Sequence, residues 1–189
     1  MRTALTLLAA AAALSTAGLA QAADYAIDPT HTFVTFEVSH FNTSMSRGRF
    51  DKKEGTVSFD RAAKTGKVDI TFEPGSVNTG TAAFDKHLQS ADFFDIAQHP
   101  KARFVSDKFV FNGDQVAEVQ GKFTLLGKTQ PLTLKASRFN CFEHPRLKRE
   151  VCGGDFEGVL DRTAFGMGFG LPVIPRDVRL LVQVEAVKQ

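Results

Sequence analysis

The feature that most constrains the fold is an alternation of apolar and polar residues that recurs along almost the whole chain. A period of two residues is typical of half-buried strands, because successive side chains of a strand point to opposite faces. Runs with this period cover residues 34–40, 55–59, 68–73, 104–111, 117–125, 132–136, 156–160 and 178–186. A helical period is nearly absent, so the chain is predicted to be all-β.

About eight antiparallel strands joined by short turns form either a sandwich or a closed barrel. Closure is favoured because it removes exposed strand edges. A barrel of this strand number has an interior that side chains fill or that holds one small ligand. We therefore predict an extended antiparallel eight-stranded barrel, whose interior is long and narrow.

One segment, residues 79–100, interrupts the strand pattern. Phe84, Leu88 and Ala91 share one helical face, which predicts a short helical segment between two strands. Its apolar face would pack over a sheet or over one end of the barrel. Two interpretations stay open, a lid that moves and an inert plug.

The first 22 residues have the pattern of a secretory signal peptide. Arg2 precedes the apolar run Ala4–Ala17, and Ala20-Gln21-Ala22 fits a small-x-small cleavage site. The run is shorter than the roughly 20 residues of a membrane span, which disfavours the alternative of an uncleaved anchor. We expect cleavage after residue 22, a single domain at 23–189, and a location in a bacterial periplasm.

The chain has two cysteines, Cys141 and Cys152. Disulfides persist in oxidising compartments, so an exported chain with an even count predicts that the two are paired. The polar loop between them carries Arg146, Lys148 and Arg149. A metal-binding or redox pair is the alternative, but the C-x-x-C spacing is missing.

Phenylalanine dominates the aromatic residues, with 18 Phe against one Tyr and no Trp. Phe lacks a polar group and suits wholly apolar surroundings, which means either a packed core or the wall of an apolar pocket. The net charge of +2 gives no basis for nucleic-acid binding. No nucleophile elbow, phosphate-binding loop or zinc-helix spacing is present, so no catalytic role, metal or cofactor is predicted.

Several segments together resemble the YceI-like proteins. They are Ala23–Asp28 with His31, Val34-x-Phe36-x-Val38-x-His40, Asp85–Phe94 with His99-Pro100, Leu125-x-Gly127-x-Thr129-x-Pro131-Leu132-x-Leu134, Asp161-Arg162-x-x-Phe165-Gly166, and Val178–Val187. The resemblance implies a lipocalin-like barrel in the periplasm whose apolar tunnel binds a polyisoprenoid lipid, either a polyprenyl phosphate or an isoprenoid quinone. It implies no enzyme activity.

A tunnel of this kind gives candidate ligand-binding residues on the inward strand faces. The predicted wall residues are Phe36, Val38, Phe59, Ile70, Phe72, Phe104, Phe123, Leu134 and Phe156. Each fits a solid core as well. His40 and Arg162 are candidates for contact with a head group, and the basic loop residues would lie near anionic lipid.

The leading hypothesis is a periplasmic protein that sequesters, stores or carries the lipid and touches a membrane surface transiently. An enzyme acting on a hydrophobic isoprenoid, with His40 or His87 as acid or base, is one alternative. A secreted stress-protection or interaction module with a filled core is another. A homodimer is compatible with the sequence, which does not decide the oligomeric state.

Overall fold

A computed structural model of the chain describes residues 22–189. The prediction of a signal peptide at residues 1–22 therefore lies outside the described residues, apart from Ala22. Among the described residues, no helix has both the length and the apolar character that a membrane-crossing helix requires.

Secondary structure in residues 22–189 is mostly strand, with one short α-helix. The elements are β1 (Ala23–Ile27), β2 (Phe33–His40), β3 (Ser44–Phe50), β4 (Lys53–Asp60), β5 (Thr65–Phe72), β6 (Val77–Asn78), α1 (Ala82–Leu88), β7 (Ala102–Asn112), β8 (Gln115–Leu125), β9 (Lys128–Glu143), β10 (Glu150–Asp161) and β11 (Asp177–Lys188). Two 3-10 turns, Pro74–Ser76 and Arg162–Phe165, lie beside β6 and after β10.

The strands form one closed antiparallel sheet. β1 pairs with both β4 and β11, and this pairing closes the barrel. β1 and β2 both pair with the same edge of β11, so together they make one position around the barrel. β4 pairs with β1 and β3 pairs with β2, so these two strands together make the next position. The segments therefore make eight positions around the barrel, which confirms the predicted fold class.

A buried threonine bonds the connection between β1 and β2 to β11. The Thr32 side chain is fully buried, its Oγ1 donates to the carbonyl oxygen of Glu185 at 3.1 Å, and it accepts from the Glu185 amide at 3.2 Å. The Asp28 amide also donates to the Glu185 carbonyl, at 2.8 Å. These bonds keep both short strands on β11, since buried backbone groups need partners.

The barrel has two different ends. We call the end that carries α1 the helix end; it also carries the β2–β3 hairpin, the β8–β9 turn and the loop 166–176. We call the opposite end the disulfide end; the β4–β5, β7–β8 and β9–β10 turns lie there. The disulfide Cys141–Cys152 joins directly opposed residues of β9 and β10.

Phe rings fill the barrel interior in two clusters. Phe36, Phe50, Phe72, Phe94, Phe123 and Phe165 form the helix-end cluster. Phe59, Phe109, Phe111 and Phe139 form the disulfide-end cluster.

One ring occupies the space of a missing side chain. Phe36 lies directly opposite Gly48 on the neighbouring strand, and a Cβ atom at Gly48 would be 2.6 Å from the Phe36 ring. The glycine therefore makes room for the ring on the inner face.

The structure differs from the sequence prediction in the number and length of strands and in the length of the helix. β1, β3 and β6 are strands outside the predicted runs, and β9 and β10 continue to the disulfide. The helix is shorter than its apolar pattern suggests: it begins after Thr81 and ends at Leu88, and turns follow it.

Candidate functional site

Two apolar cavities lie inside the barrel, one in each half, and each measures about 70 Å³. The disulfide-end compartment is lined by Tyr25, Val57, Phe59, Val68, Ile70, Phe104, Phe109, Val119, Leu134, Phe139, Cys152, Gly153, Phe156, Val182, Val184 and Ala186. The helix-end compartment is lined by Phe36, Val38, Phe50, Phe72, Leu88, Phe93, Phe94, Phe123, Leu125, Leu160, Arg162, Met167, Ile174, Val178 and Leu180. The disulfide-end set comes from inward strand faces on all sides of the barrel, and the helix-end set combines inward strand faces with residues from the segments that cover that end.

The two compartments are neighbours along the barrel axis. On β11, Leu180 lines the helix-end compartment, and Val182, the next residue on the same face, lines the disulfide-end compartment. On β5 the same relation holds for Phe72 and Ile70. The two cavities therefore lie in line along the barrel axis.

The helix end is covered by two segments that are not strands. The α1 segment contributes Leu88 and, just after it, Phe93 and Phe94; the loop 166–176 contributes Met167 and Ile174. The Phe93 and Phe169 rings meet with centroids 5.3 Å apart, so the two covering segments touch. This end is therefore closed by packing rather than by strand pairing.

A buried arginine holds the loop 166–176 in place. Only 3% of Arg162 is exposed, and its guanidinium donates to the carbonyl oxygens of Pro175 at 2.9 Å, Met167 at 3.1 Å and Ile174 at 2.8 Å. Burial lowers the pKa of this guanidinium, because a charged group loses solvation there. Arginine has five donors in a fixed fork, which suits it to bind several carbonyls at once.

The disulfide end has a polar contact at its margin. The Tyr25 hydroxyl donates to Glu150 Oε1 at 2.6 Å, and Lys188 Nζ lies 3.8 Å from the same oxygen. Burial, and then the hydrogen bond to the Glu150 carboxylate, raise the pKa of Tyr25 above its ordinary value. The only tyrosine of the chain is thus tied to the wall, and the described lining otherwise offers little for polar recognition.

The structure places nearly all of the predicted site residues along the two compartments. Those in the disulfide-end compartment are Phe59, Ile70, Phe104, Leu134 and Phe156. Those in the helix-end compartment are Phe36, Val38, Phe72, Phe123 and Arg162. Their contact with a ligand stays a prediction.

His40 lies apart from this set. It is exposed at the end of β2, and its ring packs edge-on against Phe41 with centroids 4.7 Å apart. The apolar face of β2 thus runs past the end of the barrel, and the last residue on that face reaches solvent. A head-group role for His40 remains a prediction.

Sequence reasoning missed several wall residues. Phe50 and Tyr25 lie on strands whose alternation was too weak to be recognised, and Met167 and Ile174 lie in a glycine-rich loop. Hydrogen bonds from Arg162 to the carbonyl oxygens of these two loop residues hold their backbone beside the wall. The uninterrupted apolar run at 166–175 is the signal that could have found them.

The histidines are not assembled with a catalytic partner at either compartment. His87 Nε2 lies 3.4 Å from Asp92 Oδ2, and its ring meets Phe93 and Phe169 edge-on. His87 is exposed on the outside of α1 and does not line a compartment. The geometry therefore gives no support to His40 or His87 as acid or base.

The metal alternative at the cysteines is also unsupported. Cys141, Glu150 and Cys152 place possible donor atoms within 4.8 Å of one another. The two sulfurs are bonded to each other, so neither is a thiolate that a metal would need. The basic residues Arg146, Lys148 and Arg149 are exposed on the turn beyond this disulfide.

The closed antiparallel barrel with an apolar interior defines a small lipocalin-like barrel. The chain belongs to the YceI-like domain family, which matches residues 25–186. This confirms the resemblance inferred from the sequence.

Relatives and solved structures agree with this assignment. A UPF0312 protein of Pseudomonas aeruginosa is 38% identical over 190 residues, which cover 96% of each chain. The crystal structure of Burkholderia cenocepacia BcnA has a TM-score of 0.69 at 22% identity, over 84% of this chain and 98% of that chain. A Saccharophagus degradans structure has a TM-score of 0.63 at 16% identity, over 87% of this chain and 98% of that chain. It is described as a polyisoprenoid binding domain implicated in plant cell wall breakdown.

Proposed function

We propose that this protein encloses the tail of a long polyisoprenoid lipid in its barrel and carries or stores that lipid in a bacterial periplasm. The observation that supports this most directly is the pair of apolar compartments in line along the barrel axis. The proposed role is sequestration, without bond chemistry on the lipid.

The interior suits a hydrocarbon chain. Transfer of apolar surface out of water contributes roughly 25 cal/mol per Å², so a long tail gains much from enclosure. Phe rings offer large apolar area and no group that must stay hydrated. The fold shared with the Saccharophagus degradans domain supports a polyisoprenoid as the ligand class.

Binding requires side-chain movement. Ligand pockets usually measure about 300–1,000 Å³, whereas each compartment here measures about 70 Å³. A long chain therefore fits only when Phe rings swing aside and the compartments join. We expect this movement at the helix-end cluster, because α1 and the loop 166–176 cover it without strand pairing.

The direct test is lipid uptake by the purified protein. Native mass spectrometry of protein from a bacterial periplasm should show a bound isoprenoid, and the emptied protein should take up a polyprenyl phosphate or an isoprenoid quinone from detergent micelles. A straight-chain fatty acid serves as the comparison ligand. If the protein carries no lipid and takes up neither prenyl lipid, the proposal is wrong and a filled-core module is the better description.

Three variants on one strand locate the tail. Leu180→Trp and Val182→Trp add bulk to the helix-end and disulfide-end compartments, and Leu181→Trp adds the same bulk to the outer face. Prenyl-lipid affinity should fall about tenfold or more for each of the first two and stay unchanged for the third. Circular dichroism separates a blocked tunnel from an unfolded barrel. Equal affinities for all three folded variants would contradict a tail inside the barrel.

A further inference from the structure

We infer that the helix end of the barrel docks on a lipid bilayer through two uncharged tips, and that lipid enters the helix-end compartment there. The first tip is the loop 166–175, and the second is the hairpin tip 40–46. The inference rests on the proposed function, since it names the surface that supplies the lipid.

The first tip consists wholly of apolar residues. The sequence of the loop 166–175 is GMGFGLPVIP, without one charged or polar side chain. Phe169, Leu171 and Val173 are 46%, 44% and 49% exposed, while Met167 and Ile174 line the helix-end compartment. The same loop is therefore both an outer apolar tip and part of the inner wall.

The second tip lies beside the first. The segment 40–46 carries no Lys, Arg, Asp or Glu, and Phe41 and Met45 in it are 55% and 42% exposed. β2, which leads into this tip, pairs with β11, which begins directly after the first tip. Five of the eight large apolar residues that are exposed in the described chain lie in these two tips. Exposed apolar groups concentrated in this way mark an interaction site.

The opposite end lacks this character. The three turns there, DRAAKT at 60–65, NGDQ at 112–115 and EHPRLKRE at 143–150, all contain charged residues. Phe142 and Leu147 are exposed at this end but stand next to those charges. Uncharged apolar tips are therefore a property of the helix end.

A bilayer fits these tips better than a second protein surface. A stable protein interface buries about 800 Å² per partner on a contiguous, complementary surface, whereas the two tips project from different strands. Apolar side chains from separate tips can each enter the boundary between head groups and acyl chains, which is fluid. A prenyl tail that passes directly from bilayer to barrel also avoids exposure to water.

Two arginines behind the tips are paired with carboxylates. Arg47 Nε lies 2.6 Å from Glu37 Oε1, and Arg176 Nη2 lies 2.6 Å from Asp161 Oδ2. Since these cations have acidic partners, docking should depend on apolar insertion more than on anionic lipid, and it should persist at high salt.

The chain contains no Trp, so a single introduced Trp reports on one end. Phe169→Trp probes the helix end and Phe142→Trp probes the disulfide end, at natural exposures of 46% and 43%. With vesicles of phosphatidylethanolamine and phosphatidylglycerol, Phe169→Trp emission should shift to shorter wavelength. Brominated acyl chains should remove about half of its intensity. Emission from Phe142→Trp should not change. Absence of any response from Phe169→Trp, or an equal response from both variants, would overturn the inference.

Charge placed on the tip gives an independent measurement. Leu171→Asp with Val173→Asp should lower co-flotation with the same vesicles about tenfold or more, and the control Leu147→Asp should not. Uptake of prenyl lipid from micelles should be unchanged in both. If the unsubstituted protein takes up prenyl lipid from micelles but does not float with vesicles, this inference alone is overturned. If the unsubstituted protein takes up no prenyl lipid, the proposed function is overturned. If Phe169→Trp emission shifts with protein concentration in the absence of vesicles, a second copy covers the tips and the inference is wrong.

Discussion

The two ends of the barrel are closed in different ways. At the disulfide end, strands β9 and β10 continue to a covalent cross-link, and short turns join the other strands. At the helix end, α1 and the loop 166–176 lie across the opening, and one buried guanidinium holds the loop backbone. A barrel that must stay folded while lipid enters benefits from this division, because one end can loosen without loss of strand pairing.

The largest expected effect comes from removing the guanidinium at the helix end. Arg162→Met leaves three carbonyl groups without their donor, so the free energy of unfolding should fall by about 3 kcal/mol or more. Urea denaturation measures the loss. Amide exchange should accelerate in the loop 166–176 and hardly change near Cys152.

Arg162→Lys is the matched control, since it keeps the charge and removes the fork of donors. It should recover only a minority of the lost stability. Full recovery would mean that charge, rather than the three directed hydrogen bonds, holds the loop.

The second effect comes from removing the disulfide. Cys141→Ser with Cys152→Ser should lower the free energy of unfolding by about 2–3 kcal/mol, because the unfolded chain is no longer constrained. Prenyl-lipid uptake at a temperature where the variant stays folded should be unchanged. Loss of uptake in the folded variant would show that the disulfide end also takes part in entry.

The smallest expected effects are changes of stability with pH, measured separately at each end of the barrel. Hydrogen bonds from Thr163 and Arg176 lower the pKa of Asp161 from 3.8 to about 2. A carboxyl whose pKa is lowered in the folded protein stabilises that protein at pH values above the pKa of the unfolded chain. This stabilisation is lost as the pH falls from about 4 to about 2. The pKa of Asp28 is lowered to about 2 as well, and those of Glu37, Asp51 and Asp69 are also lowered. Acid should therefore loosen the turn after Asp161 as one of several sites.

Alkali should act on the other end. Burial and the Glu150 carboxylate raise the pKa of Tyr25 above its ordinary value of 10.0. A raised tyrosine pKa stabilises the folded protein, and this stabilisation is complete below pH 10 and is lost as the pH rises above 10. Amide exchange in each region across pH tests both directions. Asp161→Asn should remove the acid response of the turn 162–166, and Tyr25→Phe should remove the alkaline response beside Glu150. If neither variant changes amide exchange at its own site, the two assignments are wrong.

Sequence reasoning predicted the parts of the fold where side chains themselves carry the pattern. Alternation along β2, β8 and β11 is enough to predict a barrel and most of its wall. The strand β3 was missed because its inward positions include Gly48, which carries no apolar side chain. The inward residues of the loop 166–176 were missed because no repeating sequence pattern marks them. Hydrogen bonds from Arg162 hold the loop backbone, and a sequence pattern does not show such contacts.

The packing of the Phe36 ring over Gly48 has an evolutionary consequence. The two positions share one volume, so neither is free to change alone. Among related chains, a larger residue at the position of Gly48 should accompany a smaller residue at the position of Phe36. In the family as a whole, the two positions should vary as a pair.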